Sequence, residues 1–126
     1  MFDPVLTRKR VEAMNAGGFW PGKTAAGYLD GCIAEMPDKT AVVDFNSMTN
    51  EATRLSYRDF GKIVERIAVG LAELGVEKGD VVSCQLPNWW QFTALHLACV
   101  RIGAVTNPLM PIFRERELSF MLGLAE

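Results

Sequence analysis

Twenty consecutive residues, Val81 to Val100, contain no Asp, Glu, Lys or Arg. A run of that length is long enough to cross a bilayer as one helix. Ser83, Gln85, Asn88, Gln91 and His96 interrupt it with polar groups, and Pro87-Asn88 breaks its middle. A lipid-facing helix would leave the freed backbone groups at that break unpaired. The run therefore divides into a buried strand (Val81 to Leu86), a turn, and a helix (Trp89 to Ile102) so apolar on all sides that it has to be sandwiched. Ala104 to Leu109 follows as a second short strand, closed by Pro108 and Pro111. Arg114 to Ala125 reads as an amphipathic helix with Leu118, Met121, Leu122 and Ala125 inward. The order strand, helix, strand, helix is a βαβ unit, which calls for a parallel sheet and a right-handed crossover. Two parallel strands need more strands at their edges and a cover on both faces. The expected fold class is α/β with its parallel βαβ unit left incomplete at Glu126.

The first eighty residues read as an α-rich lead-in with one hairpin. Pro4 to Asn15 is helical with a basic, solvated face, and Ala16-Gly17-Gly18 ends it. Thr24 is placed to cap a helix running to about Met36, with Tyr28, Leu29, Cys32 and Ile33 on one face. Pro37-Asp38 stops it. Thr40 to Phe45 and Ala52 to Tyr57 are short β-rich runs across the polar turn Asn46 to Glu51, so a hairpin is expected. Ser56 caps the next helix, with Asp59 at the capping-box position. Phe60, Ile63, Val64, Ile67, Leu71 and Leu74 form its apolar stripe, the strongest periodic signal in the chain. Gly75 supplies the left-handed residue that ends it.

Composition narrows the function. With 126 residues there is room for one domain. Thirteen basic residues against fifteen acidic leave a net charge of −2, without the basic surplus of a nucleic-acid binder. Cys32, Cys84 and Cys99 are too few and too scattered for a disulfide framework or a zinc site, and read as small core residues of a reducing cytoplasm. Met1 to Arg10 has charges but no apolar run behind them, so no export signal is expected.

Gly17-Gly18-Phe19-Trp20-Pro21-Gly22-Lys23-Thr24 fits the phosphate-loop pattern GxxxxGK[ST] letter for letter. Such a loop wraps phosphates in backbone N–H groups, with the Lys on the β- and γ-phosphates and the Thr hydroxyl on magnesium. Ala41 to Asp44 mimics the apolar strand and metal-binding Asp of such proteins. Three physical objections stand against it. Arg8 to Asn15 is helical where a buried strand is needed, Pro21 has no N–H to give, and Phe19-Trp20 put bulk where the backbone must close on an anion. A surface loop with an anchoring Trp and a cap at Thr24 is the expected structure; a small phosphate-loop nucleotide-binding protein is the alternative. Other candidates have plainer explanations too. His96 and Cys99, three apart on a helix, fit a core or packing histidine and a core thiol better than a nucleophile–base pair or two metal ligands. Trp89-Trp90 fit packing on the sheet. Glu73, Glu77 and Asp80 fit a solvated turn, and Arg114 and Arg116 an exposed helix start. Residue chemistry alone assigns no catalytic, cofactor-binding or metal residue.

Several segments taken together resemble one family. Leu55-Ser56-Tyr57-Arg58-Asp59-Phe60 resembles the L-[ST]-Y-x-[ED]-L opening of the AMP-forming adenylating enzymes, which include the acyl-CoA synthetases, peptide-synthetase adenylation domains and luciferases. Leu74-Gly75-Val76 with Lys78-Gly79-Asp80-Val81-Val82 is similar to that family's LGV-x-x-GD-x-V pattern. Gln85-Leu86-Pro87-Asn88 resembles its LPN turn, and Arg101 to Val105 with Asn107-Pro108-Leu109 its K-x-GAV-x-x-PL segment. Pro37-Asp38-Lys39-Thr40-Ala41 is similar to its P-D-K-x-A entry. Within the family, Gln85 to Phe92, Asn107 to Leu118 and Gly18 to Pro21 look most like CoA ligases for medium-chain or alicyclic acids, such as cyclohexanecarboxylate–CoA ligase.

The resemblance implies that residues 1–126 are the N-terminal portion of the AMP-binding (adenylation) domain, with no complete second domain. It implies a parent that uses ATP, Mg and CoA to turn a carboxylic acid into an acyl-adenylate and then a thioester. AMP leaves an acyl group far more readily than hydroxide does, and magnesium and basic groups stabilise charge on the transferring phosphates. The family's phosphate loop, aromatic-Thr-Glu segment, ribose-binding Asp and C-terminal Lys are missing here; in relatives they lie downstream. The expected partners are the acid, CoA and the downstream polypeptide that completes the sheet. By itself the chain is expected to be inactive, and aggregation-prone or partly molten at its open sheet edge. A non-catalytic interaction protein derived from a truncated ligase is a further alternative.

Overall fold

A computed structural model describes residues 7–125. Helix α1 (Arg8–Ala16) and helix α2 (Ala25–Glu35) lead into a hairpin of β1 (Thr40–Asn46) and β2 (Glu51–Ser56). Helix α3 (Tyr57–Glu73), strand β3 (Val81–Cys84), helix α4 (Trp90–Ile102), strand β4 (Val105–Pro108) and helix α5 (Glu115–Leu124) follow. Pro4, the expected start of the first helix, lies outside the described residues; Thr7 caps α1, its hydroxyl accepting from the Arg10 N–H.

Local signals set the helix ends. Thr24 and Ser56 take the extended backbone of a cap, and their hydroxyls accept from the N–H groups of Gly27 and Asp59. The return bond at Ser56 differs from a standard capping box. Its hydroxyl donates to the Asp59 carboxylate at 2.7 Å, so the two side chains pair with each other. At the far end of α3, Gly75 turns left-handed at φ 90°, the Gly75 N–H reaches Ala72 O, and the Val76 N–H reaches Leu71 O. That pair of bonds satisfies the last carbonyls of the helix.

The two sheets among the described residues each have two strands. β1 and β2 pair antiparallel, with a bulge between Thr40 and Val42. β3 and β4 pair parallel, Val81 opposite Val105 and Cys84 opposite Pro108, joined through α4. The expected α/β class and parallel βαβ unit are present, and among the described residues its sheet has two strands.

The core lies between the helices and the hairpin. Leu29 of α2, Phe60, Val64 and Ala68 of α3, and Ala94 and Ala98 of α4 form its buried centre; Val42 and Leu55 close it from the hairpin. Alanines where α3 faces α4 let the two backbones approach closely. Arg101, on α4, binds α2 and α3 together at the rim, with Nη2 2.6 Å from Asp30 and Nε 3.4 Å from Glu65. The Glu65 contact is one of charge alone, since Arg101 Nε has no aligned acceptor.

Several faces depart from the sequence expectations. Leu74 falls at the helix end and is 83% exposed, because the chain turns away at Gly75 before the stripe completes another turn. Tyr28 lies outside the buried face of α2; Lys23 Nζ sits 4.7 Å from its ring centroid, a cation held on an aromatic face. Strand β3 is shorter than expected and contains no fully buried residue; Val81 is exposed. Only one side of the parallel pair is packed: Thr106 meets α4 through His96, while Val81 and Val105 on the other side stand open. Helix α5 has no buried residue, and Leu122, expected inward, is exposed. A groove of about 500 Å³ runs between its Leu122 and Ala125, the Leu74–Val81 turn and Ser83.

Candidate functional site

The phosphate-loop match at Gly17 to Thr24 does not form a phosphate cradle. The segment follows helix α1, so the strand that such a loop must leave is replaced by a helix. Lys23 folds back along α2: its Cγ lies 3.2 Å from where a Cβ on Gly27 would be, and its Nζ 3.2 Å from where one on Gly31 would be. The Thr24 hydroxyl is committed to the Gly27 N–H at 3.1 Å. Both side chains that would meet a nucleotide and its metal are engaged in starting α2. Asp44, the mimic of a metal-binding residue, lies in the hairpin, paired across to Thr53. Among the described residues, no group of three or more His, Cys, Asp or Glu side chains is placed to hold a metal ion.

The other candidates separate in the same way. Cys99 is fully buried, while the exposed His96 ring makes a 3.0 Å hydrogen bond between Nδ1 and Thr106 Oγ1; the two do not act as a pair. His96 thus bridges α4 to β4 at the surface and is not a core residue. Trp89 is the N-terminal flank of α4, and Trp90 packs against the core. Glu73, Glu77 and Asp80 are exposed, and Asp80 accepts the Glu77 N–H at 2.7 Å, which closes the turn before β3. Arg114 is spent on carbonyls, donating from Nη1 to Pro111 O at 2.8 Å and Phe113 O at 2.9 Å.

Two groups have shifted acidities. The Tyr57 phenol is raised above its ordinary value mainly by the neighbouring charge of Cys32, then by a hydrogen bond with it and by desolvation. The Cys84 thiol is raised chiefly by burial, with a smaller contribution from Cys99. A raised thiol pKa lowers the thiolate fraction at neutral pH, which is the opposite of nucleophile activation. All three cysteines are free thiols.

The structure does bring together the segments that carried the family resemblance. The Tyr57 N–H donates to Lys39 O and the Arg58 N–H to Pro37 O, and Arg58 pairs with Asp38 at 3.1 Å. The Gly79 N–H donates to Gly103 O at 3.0 Å, and the Val105 N–H to Asp80 O at 2.8 Å. Gln85 reaches Met110 O and Phe113 O, each at 2.9 Å. Each segment is thus fastened to another, distant in sequence. The segments at 85–92 and 107–111 also wall a crevice of about 310 Å³ at the carboxyl ends of β3 and β4, lined by Leu86, Asn88, Phe92 and the Pro108–Pro111 turn. Sequence reasoning found the segments and missed the crevice, because its two walls, residues 86–92 and 108–111, are 16 or more residues apart along the chain.

A parallel βαβ unit packed on a helical layer, with an open crevice at its strand ends, is an α/β scaffold. A family model of AMP-binding enzymes matches residues 29–126, and the chain belongs to that family. It is 37% identical, over 93% of its length, to a medium-chain fatty-acid–CoA ligase of Escherichia coli. It is 33% identical over 94% to a salicylyl-CoA synthase / salicylate adenylyltransferase of a Streptomyces species. In each case it spans 20% of the relative's length, about a fifth of those proteins. Among solved structures, a fatty acyl CoA synthetase of Mycobacterium tuberculosis superposes with a TM-score of 0.71 at 28% identity, over 79% of this chain and 19% of that one. The N-terminal domain of FACL13 from the same organism gives 0.73 at 28% identity, over 82% of this chain and 25% of that one. The family match leaves the small phosphate-loop protein without support. Among the described residues no helix is long and apolar enough to cross a membrane.

Proposed function

We propose that these 126 residues form the opening part of a cytoplasmic acid–CoA ligase, which activates a carboxylic acid as acyl-AMP with ATP and magnesium and transfers the acyl group to CoA. The observation that carries this reading is the 37% identity, over 93% of the chain, to a medium-chain fatty-acid–CoA ligase. Lys23 and Thr24 are engaged in α2, so the phosphate-loop match does not supply the ATP–magnesium site of that reaction. In this reading the contribution of the described residues is a scaffold, the capped α3 helix and the βαβ crossover, and one wall system for a ligand crevice.

The test is exchange of labelled pyrophosphate into ATP by the natural polypeptide that carries this sequence, with a panel of acids including octanoate, cyclohexanecarboxylate and salicylate. Exchange that depends on an acid, with thioester formed when CoA is added, is the expected result. The 126 residues alone should show none. Absence of exchange with every acid overturns the reading. Lys23→Ala should leave the exchange rate within about twofold of the parent, as expected for an exposed side chain that meets no reactant; abolished nucleotide binding would restore the phosphate-loop alternative.

A further inference from the structure

We draw no further inference here: the strongest candidate, the apolar groove between helix α5 and the open side of the parallel pair, bordered by Leu74, Val81 and Leu122, carries nothing, because nothing in the structure shows what covers it.

Discussion

Phe60→Ala lowers the stability of the folded polypeptide by about 3–5 kcal/mol, the range for truncating a fully packed phenylalanine. Phe60 is 3% exposed and lies in the cluster where Leu29 of α2, Val64 of α3 and Ala94 of α4 are buried together. The loss combines the transfer free energy of the ring with the cavity it leaves, which neighbouring helices cannot fill without shifting. Natural domains hold only about 5–15 kcal/mol in total, so the variant should unfold at much lower urea. Leu74→Ala is the matched control. Both residues belong to one periodic stripe in the sequence, but Leu74 is exposed, and its truncation should change stability by less than about 0.5 kcal/mol. Urea unfolding of the two variants of the natural polypeptide, followed by tryptophan fluorescence, measures the contrast. Equal losses would mean that the stripe packs along its whole length.

Gly103→Val is the second large effect, expected at about 2–3 kcal/mol. Gly103 has φ 80°, in the left-handed region where a β-branched residue is strained. A Cβ there would also lie 2.9 Å from Lys78 Cγ, so the lysine stem has to move. The position matters because Gly103 O accepts the Gly79 N–H, and the Ala104 N–H closes back on Cys99 O. Strain at this point loosens both the end of α4 and the turn that feeds β3. Gly103→Asn should cost less than half as much, since asparagine tolerates the left-handed conformation. Thermal unfolding of both variants separates the backbone contribution from the steric one: asparagine as damaging as valine would assign the effect to the Lys78 contact alone.

Much of the fold was legible before any coordinates. Thr24 and Ser56 announced helix starts because a hydroxyl one residue before a helix finds its own N–H partner within three residues. Gly75 and Gly103 announced helix ends because few other residues turn left-handed cheaply. The uncharged run from Val81 and the strand–helix–strand order fixed a parallel pair, and the paired family-like segments pointed to an adenylate-forming scaffold. The faces were harder. Nothing local tells Leu122 that α5 stands off the sheet, or Tyr28 that Lys23 will cover its ring. The candidate crevice was invisible for the same reason, since its two walls, residues 86–92 and 108–111, lie 16 or more residues apart.

The phosphate-loop match shows where sequence and structure part company. Eight letters in the right order were present, but their chemistry depends on what precedes them and where the lysine points. A helix precedes them, and the lysine lies on Gly27 and Gly31. By itself the sequence determined the element types, most of their ends, the βαβ order and the family, because caps, left-handed glycines, hydrophobic periods and short motifs act over a few residues. The tertiary structure alone decided which apolar faces are buried, which polar side chains are consumed by backbone partners, and that two distant turns share one crevice, because each of these depends on groups that only folding brings within a few ångströms of each other.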